Sequence, residues 1–482
     1  MSSSSTMTLE QLLESISAAA TGVIDQITWK RLLIFSSGGL LCKLLWDQYG
    51  ILRYRNRPPT MLGWPVVGYT PTMIKYTLEC FLPHLVKPRP PALLTNFLFA
   101  NAVMVDHWLY AEKLHQKHMD GDFKTEFPPS FQGVLGENSI ICLPGGKIHT
   151  HHKKLRNKLL STLAPKPCLA VLPEMSVEVR AILDELVEAT AKDGSGAFEP
   201  RAAHLAAKVS TLQITAGLEP ATQARVEELT STVMEGIFGV PINLGRFSQY
   251  GRALAAKKEL RVIIKKLLDS PIKDKRNVLA DLASTTEGGV AFSLEETLDT
   301  IVTLLLAGKL TTADALPNVV ANLCRYPEWV AKIAAEPLEF HSIEAESDTL
   351  KFVMECLRCD PPVGAFRRTC KEALDLGEYG VIPPQCQMAV IFRASLQDVS
   401  DKFDPSRWTP EQVASLGWLP FGGHQPHSCI GRNLALLELQ LFARILCREY
   451  TVQADDLEKV VIPGKVFSKL FKDGMQVKVY KK

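Results

Sequence analysis

Residues 418–446 read WLPFGGHQPHSCIGRNLALLELQLFARIL, a glycine-rich loop that ends at Cys429 and passes directly into an apolar-periodic run. The periodicity predicts a helix over 430–449, with the cysteine at its N-terminal end. A helix N-terminus stabilises the negative charge of a thiolate, which is the form of cysteine that binds metal. The neighbouring glycines let backbone N–H groups approach the sulfur, and such hydrogen bonds tune a metal-bound thiolate.

Cys429 has no companion ligands at the spacing of a zinc site, which needs four. The one CxxC pair, Cys356 and Cys359, has no second pair and lies in an apolar-periodic segment. A single axial thiolate on haem iron fits, because the porphyrin supplies the other four ligands. The alternative is a buried structural cysteine that follows a turn.

The composition is that of a globular protein: 46% of the 482 residues are hydrophobic and 22% are charged. The net charge is +2, from 54 basic and 52 acidic residues, so we expect no nucleic-acid partner. Eleven cysteines stand at irregular spacings. Such a set is typical of free thiols in a reducing compartment.

The N-terminal residues 1–56 form a leader. Its apolar run RLLIFSSGGLLCKLLW, residues 31–46, is shorter than the roughly 20 residues that span a bilayer and contains Lys43. A short signal anchor and an amphipathic surface helix both remain open. We expect a membrane-surface protein on the cytoplasmic face of the endoplasmic reticulum. A plastid transit peptide fits less well, because Glu10 and Glu14 are acidic.

The remaining residues, 57–482, are expected to form one large catalytic domain of mainly α class with a small β-sheet region. The stretch RNRPPTMLGWPVVGYTP, residues 55–71, predicts a stiff hinge between leader and body because proline and glycine punctuate it. Strand signals fall at 93–106 and 374–392. The 3.6-residue periodicity predicts helices over 149–163, 174–193, 201–216, 222–238, 249–269, 294–324, 340–358 and 430–449.

The predicted helix from residue 294 has a start signal and a weak middle. Ser293 is a candidate N-cap, and Glu296 completes a capping box. The middle reads LLLAGKLTTADAL, in which glycine and adjacent threonines lower helix propensity. Such a weak point favours a place where another group needs room, although a tolerated glycine in a packed helix is the alternative.

Two further patterns carry charge. Glu355 and Arg358 are spaced i, i+3 and can pair on one helix face, with Arg407 of KFDPSRW as a candidate third partner. His152 and Arg156 are spaced i, i+4 in GGKIHTHHKKLRNKLL. Such donors suit the carboxylates of a buried cofactor, whereas a solvated basic face is the alternative.

Taken together and in order, RPPTMLGWPVVG, HKKLR, AGKLTT, ECLR, FDPSRW and FGGHQPHSCIG resemble the cytochrome P-450 superfamily of haem-thiolate monooxygenases. The resemblance covers roughly residues 55–482. The segment 236–268 is similar to the branch that oxidises sterols, plant triterpenoids and hormones, and retinoids. The resemblance implies haem b as cofactor and a small lipophilic substrate. It also implies electrons from NADPH through a partner, either NADPH–cytochrome P-450 reductase or a ferredoxin-type donor.

The resemblance also implies roles for individual residues. The haem-binding set would be Cys429 as axial thiolate ligand, Phe421 beside it, and the propionate partners His152, Arg156, Arg367 and His427. Glu355, Arg358 and Arg407 would form the structural triad. Ala307, Gly308 and Thr311 would line the oxygen site on the long helix.

Two departures from the family pattern bear on the reaction. Leu310 stands where the family has an acid just before the threonine, and that acid supplies protons for dioxygen chemistry. The loop from Phe421 to Cys429 is one residue longer than usual. We therefore keep two alternatives to a monooxygenase: a haem-thiolate isomerase or dehydratase that acts on a lipid peroxide without activating dioxygen, and a haem-free binding scaffold.

Overall fold

The structure is a computed structural model of the chain, and part of the chain is described here. The described residues are 10, 13, 14, 17, 37–46, 48–65, 67–85, 91–97, 100–106, 123–125, 129–142, 149–215, 218–237, 240–269, 278–283, 292–391, 402–416, 419–422, 428–460, 470–471 and 474–482. None of the helices in these ranges is long and apolar enough to cross a membrane.

Helices dominate the described chain. In chain order they are α1 Thr70–Tyr76, α2 Pro129–Leu135, α3 His149–Thr162, α4 Pro165–Leu169, α5 Leu172–Asp193, α6 Phe198–Thr215, α7 Pro220–Ile237, α8 Gln249–Asp269, α9 Val278–Ala283, α10 Leu294–Arg325, α11 Glu328–Ala334, α12 Asp348–Cys359, α13 Pro410–Leu416 and α14 Arg432–Glu449. Short 3-10 helices cover Gly50–Arg53, Thr77–His84, Gly245–Phe247, Gly377–Tyr379, Pro405–Arg407 and Leu419–Phe421.

Helix α10 is the central element of the helical body. The predicted capping box is confirmed: Glu296 N–H donates to Ser293 Oγ at 3.2 Å, and Ser293 N–H donates to Glu296 Oε2 at 2.8 Å. Most of the helix is buried, because α6, α7, α8, α12 and α14 all pack against it. These helices share one large apolar core, and that core fixes the position of the middle of α10.

Within the described ranges, strands form four small sheets. Their bounds are β1 Ala92–Phe97, β2 Ala100–Asp106, β3 Phe123–Thr125, β4 Gly196–Ala197, β5 Ala365–Cys370, β6 Leu374–Asp375, β7 Val381–Ile382, β8 Gln387–Ile391, β9 Tyr450–Ala454, β10 Lys459–Val460, β11 Leu470–Phe471 and β12 Gln476–Lys481. The largest sheet has the order β1-β2-β8-β5-β3, with β2 and β8 parallel and the other pairs antiparallel.

Both faces of this sheet are apolar, because alternate residues of its strands point to opposite sides. One face carries Val103, Val105, Met388 and Val390 in one cluster. The other face contributes Met104, among others, to a second cluster with Phe81 and Leu85. The Pro- and Gly-rich stretch that the sequence predicts as a hinge lies against this sheet, since Met61 N–H donates to Leu94 O at 2.8 Å.

The fold class is confirmed as mainly α with a small sheet region. Predicted helix limits agree with the structure within a few residues, with one exception. The helix predicted over 340–358 was placed too early, because it begins at Asp348. Ser347 ends the preceding extended chain, and its hydroxyl accepts from Leu350 N–H at 3.0 Å as the N-cap. The sequence did not predict the short helices α1, α2, α4, α9, α11 and α13 or the strands β3, β4, β5, β9, β10, β11 and β12.

Candidate active site

Cys429 lies just before helix α14, which begins at Arg432 with Gly431 as its N-cap. The backbone N–H of Cys429 donates to Phe421 O at 2.7 Å, and this bond closes the loop. The backbone N–H of Gly431 bonds to the sulfur and lowers the pKa of the thiol. A Cβ on Gly431 would stand 3.9 Å from Sγ, which is an ordinary van der Waals contact, so the sulfur itself does not require glycine at this position. The loop thus has the geometry that stabilises a ligating sulfur.

The thiol of Cys429 is accessible and yet surrounded by protein. It is exposed, whereas its neighbour Ser428 is buried. Burial by the surrounding atoms nevertheless raises the pKa of the thiol, and the Gly431 bond and the positive charge of Arg156 offset that rise in part. The residue is therefore open to a ligand although protein atoms surround its sulfur. A metal cation placed there would convert the thiol to thiolate, which the loop alone does not do.

Arg156 of α3 brings a buried positive charge to the cysteine loop. Its side chain is 7% exposed, and Nη2 donates to Ser428 Oγ at 2.6 Å. Burial lowers the pKa of the guanidinium, and Cys429 raises it. Within the described residues, Nε is buried without a hydrogen-bond partner. A buried cation with an unsatisfied donor suits a carboxylate-bearing ligand.

For the other predicted propionate partners, the structure describes the backbone of two residues and nothing of the third. His152 lies on α3 one turn before Arg156, and Arg367 lies in β5. The side chains of both, and the whole of His427, lie outside the described residues.

Phe421 is half-buried and belongs to the edge of the main core. Its carbonyl oxygen holds the Cys429 backbone, as described above. Its ring centroid lies 5.7 Å from the guanidinium carbon of Arg432, a residue that the sequence reasoning missed. Arg432 is buried and pairs with Glu344. A lone arginine after a Cys-x-Gly pattern offers no sequence signal for this contact.

The three residues predicted in the middle of α10 lie on two different faces of the helix. Ala307 is exposed although Leu305 and Leu306 beside it are buried, and Thr311, one turn later, is half-buried. The Thr311 hydroxyl donates to Ala307 O at 2.8 Å. Accessible positions on a helix that is otherwise enclosed line an internal space, so this face is the candidate oxygen site.

Gly308 faces a different neighbour. A Cβ at this position would stand 2.3 Å from Ser210 Oγ of α6. The glycine is therefore explained by the close crossing of α10 and α6. The weak middle of the helix has a packing cause as well as an accessible face.

Leu310 and Lys309 fill the positions that precede Thr311. Leu310 is half-buried. Lys309 is buried, and its ammonium donates to Ser231 Oγ of α7. Burial lowers the pKa of the lysine, and Glu227 raises it. The lysine is thus committed to the contact between α10 and α7.

Glu355 lies at the centre of a buried network on α12. The carboxylate accepts from Arg358 Nε and Nη2, both at 2.8 Å, and from Arg407 Nε at 3.2 Å. It also accepts from the backbone N–H of Asp404 at 2.8 Å and from Trp408 Nε1 at 3.0 Å. Glu355 is 0% exposed and Arg358 is 2% exposed. The structure therefore brings Glu355, Arg358 and Arg407 together as one charge network.

A second buried charge cluster on α10 was missed. Asp299 pairs with Arg261 of α8, and Lys257 Nζ lies 3.4 Å from Asp299 Oδ1. Gly136 has φ +93°, and a Cβ there would meet the Asp299 carboxylate at 2.0 Å. The sequence separation of the partners left no local signal for this cluster.

The described residues fit a haem group. The loop presents an accessible sulfur, an orphaned donor on a buried arginine lies beside it, and an accessible helix face carries a hydroxyl. Haem would take its axial ligand from Cys429 and a carboxylate contact from Arg156.

The comparisons with known proteins agree with this geometry. The family model described as Cytochrome P450 matches residues 255–466. A putative cytochrome P450 120 from Synechocystis sp. is 26% identical over 80% of this chain and 87% of its own length. The taxane 13-alpha-hydroxylase of Taxus cuspidata is 25% identical over 88% of this chain and 92% of its own.

A solved structure, retinoic acid bound cyanobacterial CYP120A1, has a TM-score of 0.72 and 24% identity. The match covers 89% of this chain and 100% of that one. Members of this family are oxidoreductases that use haem with an axial cysteine thiolate and take electrons from a redox partner. The family model, the curated relatives and the solved structure together support the cytochrome P450 superfamily and an oxidoreductase of the haem-thiolate monooxygenase type.

Proposed function

We propose that this chain hydroxylates a lipophilic substrate of the sterol, terpenoid or retinoid type, with Cys429 as the axial ligand of haem. Dioxygen is the oxidant, and a separate reductase delivers two electrons from NADPH. The observation that carries the proposal is the Cys429 sulfur, which is accessible although protein surrounds it.

Each of the site residues has its own role in the proposed reaction. Arg156 balances a carboxylate of the cofactor with a buried positive charge. Glu355 and its partners hold the segment 402–408 against α12. Thr311 holds a hydroxyl on the accessible face of α10. The large apolar core holds the helices that carry these groups. Haem, when bound, supplies the oxidation chemistry, and its thiolate ligand favours O–O cleavage.

The substrate class rests on the relatives. One curated relative is a taxane 13-alpha-hydroxylase, and one similar solved structure has retinoic acid bound. A panel of sterols, terpenoids, retinoids and fatty acids, scored by the substrate-induced spin shift of the haem, tests this part. Shifts with linear fatty acids alone would contradict it.

The ligand assignment is tested by Cys429→Ser. A serine hydroxyl stays protonated near neutral pH, so we expect the red-shifted Soret band of the ferrous–CO complex to disappear. Cys142→Ser is the matched control, because Cys142 is also partly accessible and burial raises the pKa of its thiol to about 11. A Cys429→Ser protein that keeps the thiolate-type band would refute the assignment.

Leu310 favours a second candidate function, a haem-thiolate isomerase or dehydratase that acts on a lipid hydroperoxide. No carboxylate precedes Thr311, and Lys309 is engaged with Ser231. For a monooxygenase we expect poor coupling, measured as product formed per NADPH consumed, and improved coupling in Leu310→Glu. Tight coupling in the wild type would contradict the expected proton shortage. Rapid hydroperoxide conversion without reductase-dependent turnover would establish the second function instead.

We also propose that the chain works at a membrane surface, on the cytoplasmic face of the endoplasmic reticulum. The segment between α7 and α8 supports this: Val240, Ile242, Leu244 and Phe247 are all exposed there. Contiguous exposed apolar side chains mark interaction surfaces. Co-sedimentation of the full chain with phosphatidylcholine vesicles, and weaker co-sedimentation of Phe247→Ser, are expected. Equal binding of both forms would remove this segment from the contact.

A further inference from the structure

Cys370 and Cys386 stand opposite each other at one end of the β5–β8 pair. The register aligns Thr369 with Gln387, so the next step along the two antiparallel strands aligns the two cysteines. Cys370 N–H donates to Cys386 O at 3.1 Å. The thiols therefore belong to neighbouring strands of one sheet, although 16 positions separate them in the chain.

Gln385 shapes this end of the strand pair. Its φ is 57°, a left-handed conformation, and its N–H donates to Cys370 O at 2.9 Å. Gln385 and Cys386 together oppose the single residue Cys370, which is the arrangement of a β-bulge that begins with a left-handed residue. The bulge fixes the pairing of the two cysteines, since it leaves Cys386 in register with its partner.

Both thiols point to the same side of the sheet. Cys370 and Cys386 are each 1% exposed and belong to the apolar cluster that also contains Met388 and Val390. The thiols interact directly enough for Cys370 to raise the pKa of Cys386. Both are free in this structure.

The spacing suits a covalent bond between them. Residues directly opposite in an antiparallel pair have Cα atoms about 4.5–5.5 Å apart. Disulfides join Cα atoms at about 4.4–6.8 Å. The backbone can therefore accept the bond without separating the strands.

We propose that Cys370 and Cys386 are an oxidative modification site that forms an intramolecular disulfide. In the reaction with a hydroperoxide, two S–H bonds and the O–O bond break, and one S–S bond forms. The two thiol hydrogens leave in water and, for an organic hydroperoxide, in the alcohol. The two sulfurs lose two electrons in total, and the peroxide gains them. This proposal rests on the sheet alone and is independent of the proposed substrate or ligand.

Oxidation of the two thiols is expected to be slow because both are buried. Burial raises the pKa of Cys370 to about 12 and that of Cys386 well above its ordinary value. The reactive thiolate is therefore scarce near neutral pH, and oxidation accelerates as the pH rises. The exposed turn at Pro384 and Gln385 lies directly before Cys386 and is the nearest surface from which an oxidant can reach the pair. The product would tie the end of β5, the strand that carries Arg367, to β8.

The test uses the full-length haem-loaded protein treated with hydrogen peroxide and then alkylated under denaturing conditions. We expect Cys370 and Cys386 both to become unavailable to the alkylating reagent, and the peptides that contain them to lose two hydrogen atoms in total. Digestion without reductant should yield one peptide pair that joins Cys370 to Cys386, and dithiothreitol should separate it. The rate should increase with pH.

Cys370→Ala and Cys386→Ala should each abolish the linked pair. Cys168→Ser is the control, because Cys168 is equally buried and burial raises the pKa of its thiol to about 12. The control should keep the linked pair. The proposal is overturned if the linked pair contains any other cysteine, or if peroxide leaves both thiols alkylatable in a protein whose exposed cysteines have reacted. Using the wild-type chain for these two outcomes keeps the result independent of whether a variant folds.

Discussion

Replacing Glu355 by alanine should remove much of the stability of the catalytic body. The carboxylate is the common acceptor for Arg358, Arg407, Trp408 and the backbone of Asp404. Without it, Arg358 keeps its positive charge at 2% exposure. Breaking a buried pair in this way costs about 3–5 kcal/mol.

Two neutral donors add to that cost. Trp408 Nε1 is buried with its ring and loses its acceptor, as does the backbone N–H of Asp404. Each unsatisfied buried donor costs roughly 1–3 kcal/mol. The combined loss approaches the total stability of an ordinary protein, about 5–15 kcal/mol. We therefore expect Glu355→Ala to accumulate in unfolded form and to retain little haem.

Urea denaturation, followed by haem absorbance and by far-ultraviolet circular dichroism, measures the loss. The unfolding free energy of Glu355→Gln should lie between those of the wild type and Glu355→Ala. An amide oxygen still accepts a hydrogen bond but cannot balance the charge of Arg358. The matched control is Glu259→Ala. Glu259 binds Arg225 Nε at 2.8 Å and Nη2 at 2.7 Å, but on the exposed surface. Its loss should leave the urea midpoint unchanged.

Two results would refute this account of Glu355. A Glu355→Ala protein whose unfolding free energy falls by less than about 1 kcal/mol would show that the network contributes no more than an exposed pair. A fall in Glu259→Ala as large as that in Glu355→Ala would show that burial does not separate the two cases.

Three further substitutions test other parts of the core. Burial raises the pKa of Glu438 from 4.5 to about 8, so the folded chain keeps a proton that the unfolded chain releases between these values. Stability should therefore fall with rising pH in that window by up to about 1.4 kcal/mol per pH unit, and Glu438→Gln should remove this slope in pH-dependent urea titrations. Gly308→Ala should cost roughly 1–3 kcal/mol through its contact with Ser210, and the added change Ser210→Gly should restore thermal stability. Asp299→Asn removes one of the two carboxylate partners of Arg261, which keeps Glu295, and should lower the unfolding free energy by about 1.5–3 kcal/mol, whereas an unchanged urea midpoint would place the pair in solvent.

Sequence periodicity was sufficient for the long helices because their signals are local. The capping box of α10 spans four residues, and both of its hydrogen bonds form as predicted. Strand β5 left no such signal: AFRRTC lacks alternation and becomes a strand because β3 and β8 flank it. The sheet that joins β4, β12 and β9 likewise depends on partners from distant parts of the chain. Pairing of this kind is decided by packing and cannot be derived from a short window.

For the site residues, too, local contacts could be predicted from the sequence and contacts with distant segments could not. Glu355 and Arg358 could be paired from their spacing, but the contacts from Asp404 and Trp408 come from a segment about fifty residues further on. Gly308 could be recognised as unusual, yet its cause, Ser210, lies on another helix. A propensity scale reports that a position is weak and does not report which neighbour requires it.

Lys309 bears on the proton supply of this chain, because it is the nearest titratable side chain before Thr311. Helical spacing already predicts that Lys309 lies on a different helix face from Thr311 and is a poor substitute for the acid. In the structure it is buried toward α7 and donates to Ser231, whereas Thr311 lies on the accessible face with Ala307. Because burial lowers the pKa of this lysine and its hydrogen bond holds it on another face, it does not replace the missing carboxylate. We therefore expect protons to reach the Thr311 hydroxyl through water, and a carboxylate at position 310 is the substitution that tests this expectation.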